Sequence, residues 1–146
     1  EYDYMLTAEA KGIPLIHEMA RQSGAKKYFL ARKAPKLYMT GIMEVNVKSI
    51  TTAKEQTLYL DTADAEMMKG KKILLVDDVI STGESLHALE VLFYIIRVTA
   101  FIIKHNTSPN IVGRMAILAE GDAQERDDLV YLEKLPLFNA KGEIIG

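Results

Sequence analysis

Apolar residues along this chain fall into two kinds of pattern. In "PLIHEMARQ", residues 14–22, Leu15, Ile16, Met19 and Ala20 recur at the spacing of one helical face. Pro14 suits the first turn of that helix and Gly24 suits its end. Elsewhere the apolar residues form short runs that read as strands: "KKYFLAR" (26–32), "TLYL" (57–60), "KILLVDD" (72–78), "IVGRMAILA" (111–119) and "LVYLEKL" (129–135). "DTADAEMMKG" (61–70) reads as a turn or short helix closed by Gly70, and "ESLHALEVLFYII" (84–96) as a helix. "YMLT" (4–7) is a short apolar lead. Residues 33–56 are polar, with Pro35, Gly41 and the run "KSITTAKEQT", and a connection of that length in a compact domain is functional or mobile.

Strands alternating with helices, and continuous apolar strands, predict an α/β fold: a central, mostly parallel sheet with helices on both faces. Ligands in such sheets sit beyond the carboxyl ends of the strands. Asp77 and Asp78 stand at one such end, where they are expected to be exposed.

Composition narrows the class. The 146 residues suit one domain (1–146) with a single core. The chain is 49% hydrophobic and 26% charged, as globular proteins are. A net charge of -2 gives no pull toward nucleic acid or anionic membrane. Without cysteine there is no disulfide frame and no thiolate metal site, which fits a reducing compartment. The most apolar window, "VLFYIIRVTAFII" (91–103), is shorter than the roughly 20 residues a bilayer requires and reads as buried core or a partner interface. No cationic leader opens the chain, which begins at Glu1 rather than methionine; part of an N-terminal segment is expected to be lacking.

The chemistry concentrates in "KKILLVDDVISTGES", residues 71–85. A strand feeding a tight turn into a helix leaves backbone N–H groups aimed at one spot, an anion site. Gly83 allows close backbone approach, and Ser81, Thr82 and Ser85 add hydroxyl donors. The adjacent carboxylates would repel that anion, so they suit sugar hydroxyls or a cation such as Mg²⁺. A phosphate at one end and a diol one sugar ring away describes a ribose 5-phosphate. The other reading is an N-capping turn beside two solvated acids. Neither G-x-x-x-x-G-K-[ST] nor G-x-G-x-x-G occurs in the chain.

"ILLVDDVISTGES" closely resembles the signature of type I phosphoribosyltransferases, which bind 5-phosphoribosyl 1-diphosphate. The resemblance implies that Asp77 and Asp78 contact the ribose hydroxyls. It also implies that Val79, Ile80, Ser81, Thr82, Gly83, Glu84 and Ser85 hold the 5-phosphate. "AEAKGIP" (8–14) is similar to the pyrophosphate loop of adenine phosphoribosyltransferases, E-A-R-G, with Lys11 in the arginine place. That loop often contains a non-proline cis peptide in the family, which Gly12 would help accommodate. "LARKAPKLY" resembles the R-K-x-x-K-L segment of the same subfamily. By resemblance Glu9, Ala10, Lys11, Gly12, Arg32 and Lys36 belong to the diphosphate site, with Lys33 beside them, and residues 40–56 stand where the family has a mobile flap.

The implied activity is purine salvage by a Rossmann-like, cytoplasmic enzyme. The phosphoribosyl group passes to a purine, adenine by the loop matches, giving a nucleoside monophosphate and diphosphate. Mg²⁺ is the implied cofactor, a homodimer the implied assembly, and Asp77, Asp78 and Lys11 the implied catalytic residues. Positioning and charge stabilisation suffice, with no nucleophilic side chain. The alternative is a regulator that senses phosphoribosyl diphosphate without turnover. His17, His87 and His105 read as surface or helix residues rather than catalysts, and "AEGDAQERDD" (119–128) as a solvated loop and helix start rather than a metal cluster.

Overall fold

In a computed structural model the described residues are 1–48, 55–81, 90 and 109–145. The elements run β1 (Tyr4–Ala8), α1 (Gly12–Ser23), β2 (Phe29–Ala31), β3 (Ile42–Lys48), β4 (Glu55–Asp61), α2 (Thr62–Met68), β5 (Lys72–Ile80), β6 (Asn110–Glu120), a 3-10 turn (Gly121–Glu125) and β7 (Leu129–Leu135). Five strands form one sheet in the order β2-β1-β5-β6-β7, every pair parallel. β3 and β4 form a separate antiparallel pair. The expected parallel sheet is present.

Its two faces follow from strand alternation. On one, Met5, Leu74 and Val76 pack against Ile16 and Ala20 of α1, the helical face legible in the sequence. On the other, Leu6, Phe29, Ile73 and Leu75 meet Val45, Leu58 and Leu60 of the β3–β4 pair and Ala65 and Met68 of α2. Leu6, Ile73 and Leu75 are fully buried, each stabilising by about 1.5–3 kcal/mol. α1 carries Pro14 in its first turn and ends at Gly24 with φ 71°, a left-handed cap that glycine adopts without strain. Gly70 likewise closes the α2 segment.

Two readings are corrected. The lead "YMLT" belongs to β1, which lies between β2 and β5 inside the sheet. The polar connection 33–56 contains a strand, Ile42–Lys48, paired with β4 over its whole length. Residues 49–54 of the expected flap, His87, His105, the apolar window 91–103 and all of the 84–96 helix except Glu90 lie outside the described residues. Among the described residues no helix is long and apolar enough to cross a membrane.

Connectivity fixes where a ligand can sit. From β1 the chain crosses through α1 to β2 on one side, whereas β5 is followed in the sheet by β6 on the other. The order therefore reverses between β1 and β5, and a crevice opens beyond their carboxyl ends.

Candidate active site

At that crevice lies a cleft of about 500 Å³ lined by Ala8, Glu9, Ala10, Lys11, Lys33, Leu58, Asp77, Asp78 and Val79. Three elements meet there because of register. Leu6 is opposite Leu75, and Ala8 is opposite Ala31, so the ends of β1, β2 and β5 lie side by side. The loop after β1 then turns into α1, with Lys11 exposed at the helix N-cap position. The Glu9–Ala10 peptide is cis, as expected for this loop.

Gly12 explains why the loop can close over β5. A Cβ there would collide with Thr7 Oγ1 and stand 3.5 Å from Asp77 Oδ1, so only glycine lets α1 begin directly on the sheet. This close packing overturns the expectation that both acids are exposed. Asp77 is 7% exposed, and only Asp78 is half-buried. Asp77 Oδ1 accepts the backbone N–H of Asp78 at 2.9 Å. Burial pushes the Asp77 carboxyl up to about 7; the Asp78 N–H opposes the rise, the Asp78 carboxylate adds to it, and Lys33 pulls it back down. A cation or a set of hydroxyl donors placed there would restore its charged form.

The basic residues divide. Lys33 lines the cleft, whereas Arg32 and Lys36 turn to Glu9, with Arg32 Nη1 at 3.1 Å and Lys36 Nζ at 3.9 Å from Glu9 Oε1. Glu9 Oε2 accepts the Lys33 backbone N–H at 3.0 Å. Ile80 is 2% exposed, belongs to the core and is not among the residues that line the cleft. Ser81 follows β5 half-buried, and Thr82, Gly83, Glu84 and Ser85 lie outside the described residues.

Two cleft features escaped the sequence reading. Leu58 supplies an apolar wall from β4, and Thr7 is a fully buried polar residue beneath Gly12. Nothing in "TLYL" or "YMLT" distinguishes these residues from ordinary strand positions. His17 is exposed on α1 with Nδ1 3.3 Å from Tyr28 Oη, remote from the cleft as expected. In the 119–128 segment Asp128 pairs with Arg126 at 2.9 Å and with Arg114 of β6 at 3.1 Å. Among the described residues no group of three His, Cys, Asp or Glu could hold a metal ion alone. The donors at the cleft are carboxylate oxygens, which suit Mg²⁺ shared with an oxygen-rich ligand rather than a closed protein cage.

A doubly wound sheet whose switch-point cleft brings Asp77 and Asp78 together with Lys11 and Lys33 defines an α/β protein with a charged cleft beyond its strand ends. Residues 3–112 match the family model of the phosphoribosyl transferase domain, and the chain belongs to that family. Among sequence relatives, the hypoxanthine/guanine phosphoribosyltransferase of Methanosarcina mazei is 37% identical over 87 residues, 60% of this chain and 42% of that protein. The chain thus spans about two fifths of the length of the curated relatives it matches. Among solved structures, adenine phosphoribosyltransferase from Thermoanaerobacter pseudethanolicus superposes with TM-score 0.67 at 16% identity, covering 92% of this chain and 72% of that one. The Saccharomyces cerevisiae enzyme, complexed with an imino-altritol bisphosphate and adenine, gives TM-score 0.67 at 19% identity over 90% of this chain and 68% of that one. These structural likenesses carry the fold.

Proposed function

We propose that the protein transfers the 5-phosphoribosyl group from phosphoribosyl diphosphate to a purine base. The observation that supports the reading is that Asp77, Asp78, Lys11 and Lys33 line one cleft. In this reading the carboxylates take the ribose hydroxyls. The segment from Val79 onward holds the 5-phosphate, Ile80 through backbone alone. The diphosphate lies over Ala10, Lys11, Gly12 and Lys33.

In the reaction a base nitrogen bonds to C1 of the ribose while the C1–O bond breaks, its electron pair leaving with diphosphate and the proton of the base N–H passing to the leaving diphosphate or to water. Negative charge grows on the leaving group, where the Lys11 and Lys33 ammonium groups stabilise it. The Asp77 and Asp78 carboxylates would hold Mg²⁺, which would supply further neutralisation of that charge. Leu58 and Ala8 exclude water from one side of the cleft. The expected flap, residues 40–56, is proposed to cover the diphosphate during turnover.

Adenine as acceptor is supported by the "EAKG" and "RKAPK" loops. Hypoxanthine or guanine is favoured by a different observation, the 37% identity to the Methanosarcina mazei protein. Incubation with labelled phosphoribosyl diphosphate, Mg²⁺ and each of the three bases decides between them. Formation of one nucleoside monophosphate with equimolar diphosphate is expected. Tight binding of phosphoribosyl diphosphate with no product from any base would favour the sensor instead.

A further inference from the structure

We infer that Glu9 is a positioning residue for the diphosphate end of the cleft: it holds Arg32 and Lys36 and fixes the turn that presents Lys33, and does not itself bind diphosphate. The inference rests on the function proposed above and reassigns three residues that the motif alone places on the diphosphate.

Glu9 continues β1 and stays in the ladder, its N–H donating to Ala31 O at 2.8 Å. Because Ala8 is opposite Ala31, the next residues, Glu9 and Arg32, are brought side by side. Glu9 borders the cleft, but both of its carboxylate oxygens already have partners. One oxygen serves Arg32 and Lys36, and the other accepts the Lys33 N–H. That N–H bond, with the Lys36 and Arg32 charges, outweighs partial burial and holds the carboxyl below the usual range, so Glu9 is ionised at neutral pH.

An ionised carboxylate cannot accept a bond from an unprotonated diphosphate oxygen, and uncompensated it would repel one. With its charge matched by two cations it no longer does. Arg32 is similarly committed. Its backbone exchanges two hydrogen bonds of 2.8 Å with Tyr59 of β4, and its Nε donates to Tyr38 Oη at 3.2 Å. Arg32 therefore ties β2, β4 and the 36–38 turn to Glu9. Of the three cations in residues 32–36, only Lys33 lines the cleft, and its backbone nitrogen is the one Glu9 holds.

Calorimetric titration with inorganic diphosphate plus Mg²⁺, and separately with AMP, tests this on wild type, Glu9→Ala, Glu9→Gln, Lys33→Ala and the Glu9→Ala/Lys33→Ala pair. Glu9→Ala is expected to weaken diphosphate about tenfold and AMP less than twofold. Glu9→Gln keeps an acceptor for the Lys33 N–H and should lose only about threefold; it also serves if the alanine variant does not fold. In the Lys33→Ala background, Glu9→Ala should weaken diphosphate less than twofold further, because the effect runs through Lys33. Tighter or unchanged diphosphate binding in both Glu9 variants would overturn the inference. So would an equal loss of AMP affinity, or a full tenfold loss without Lys33. Wild type that binds neither ligand would instead overturn the proposed function.

Discussion

The burial of Asp77 makes a pH-dependent prediction about the unliganded protein. Its carboxyl is raised from 3.8 to about 7 in the folded state, chiefly by burial. Below about pH 4 both folded and unfolded chains hold the proton, and Asp77 has no effect on stability. Between pH 4 and 7 the folded chain keeps the proton that the unfolded chain releases, so stability falls as pH rises. Above pH 7 the full cost is reached, at most about 4 kcal/mol at 1.36 kcal/mol per decade. Asp77→Asn removes the charge but keeps an oxygen to accept the Asp78 N–H. The variant should match wild type near pH 4 and exceed it at pH 8, by up to roughly 10 °C in melting temperature. Thermal melts of both proteins from pH 4 to 8 without ligand measure the gap. A gap that does not widen across that range would refute the claim that burial of a charge, and not lost packing or bonding, dominates at Asp77. Phosphoribosyl diphosphate with Mg²⁺ should reverse the order, stabilising wild type alone.

Three further outcomes are expected. Gly12→Ala should cost about 1–3 kcal/mol through collision with Thr7, and Thr7→Ala in the same chain should recover part of it, as urea unfolding would show. Gly83→Val, at the signature glycine, should weaken AMP and ribose 5-phosphate together; normal AMP binding in a titration would count against a close backbone approach there. Deleting 49–54 should lower turnover far more than AMP affinity, since AMP has no diphosphate to cover; equal losses in parallel rate and binding assays would make the segment a surface loop.

What the sequence made legible was contiguous. "KILLVDD" is apolar on both sides because β5 is buried on both faces, and its acids follow in the next two positions, so strand and pair are read in one line. α1 declares itself through Leu15, Ile16, Met19 and Ala20 because a helix facing a sheet needs that stripe. β3 was hidden by its own logic. In "IMEVNV" a half-covered strand alternates, with Val45 buried and Glu44 and Asn46 exposed, so its polar half merged with the polar run after it. β1 offers only five residues, too few to distinguish a lead from an inner strand. The division of labour among Arg32, Lys33 and Lys36 depends on Glu9, more than twenty residues earlier, which reaches them only through the β1–β2 register. The burial of Asp77 likewise depends on where the first turn of α1 comes to rest, a tertiary contact between Gly12 and Thr7.

The central claim is that the Asp77–Asp78 cleft binds the phosphoribosyl group. Titration of AMP and of phosphoribosyl diphosphate with Mg²⁺ into wild type and the Asp77→Asn/Asp78→Asn variant, each first shown to melt cooperatively, tests it most directly. The account predicts binding of both ligands to wild type and at least a hundredfold loss of phosphoribosyl diphosphate affinity in the folded variant. Unchanged affinity in that variant would contradict it and leave the acidic pair as part of a capped turn.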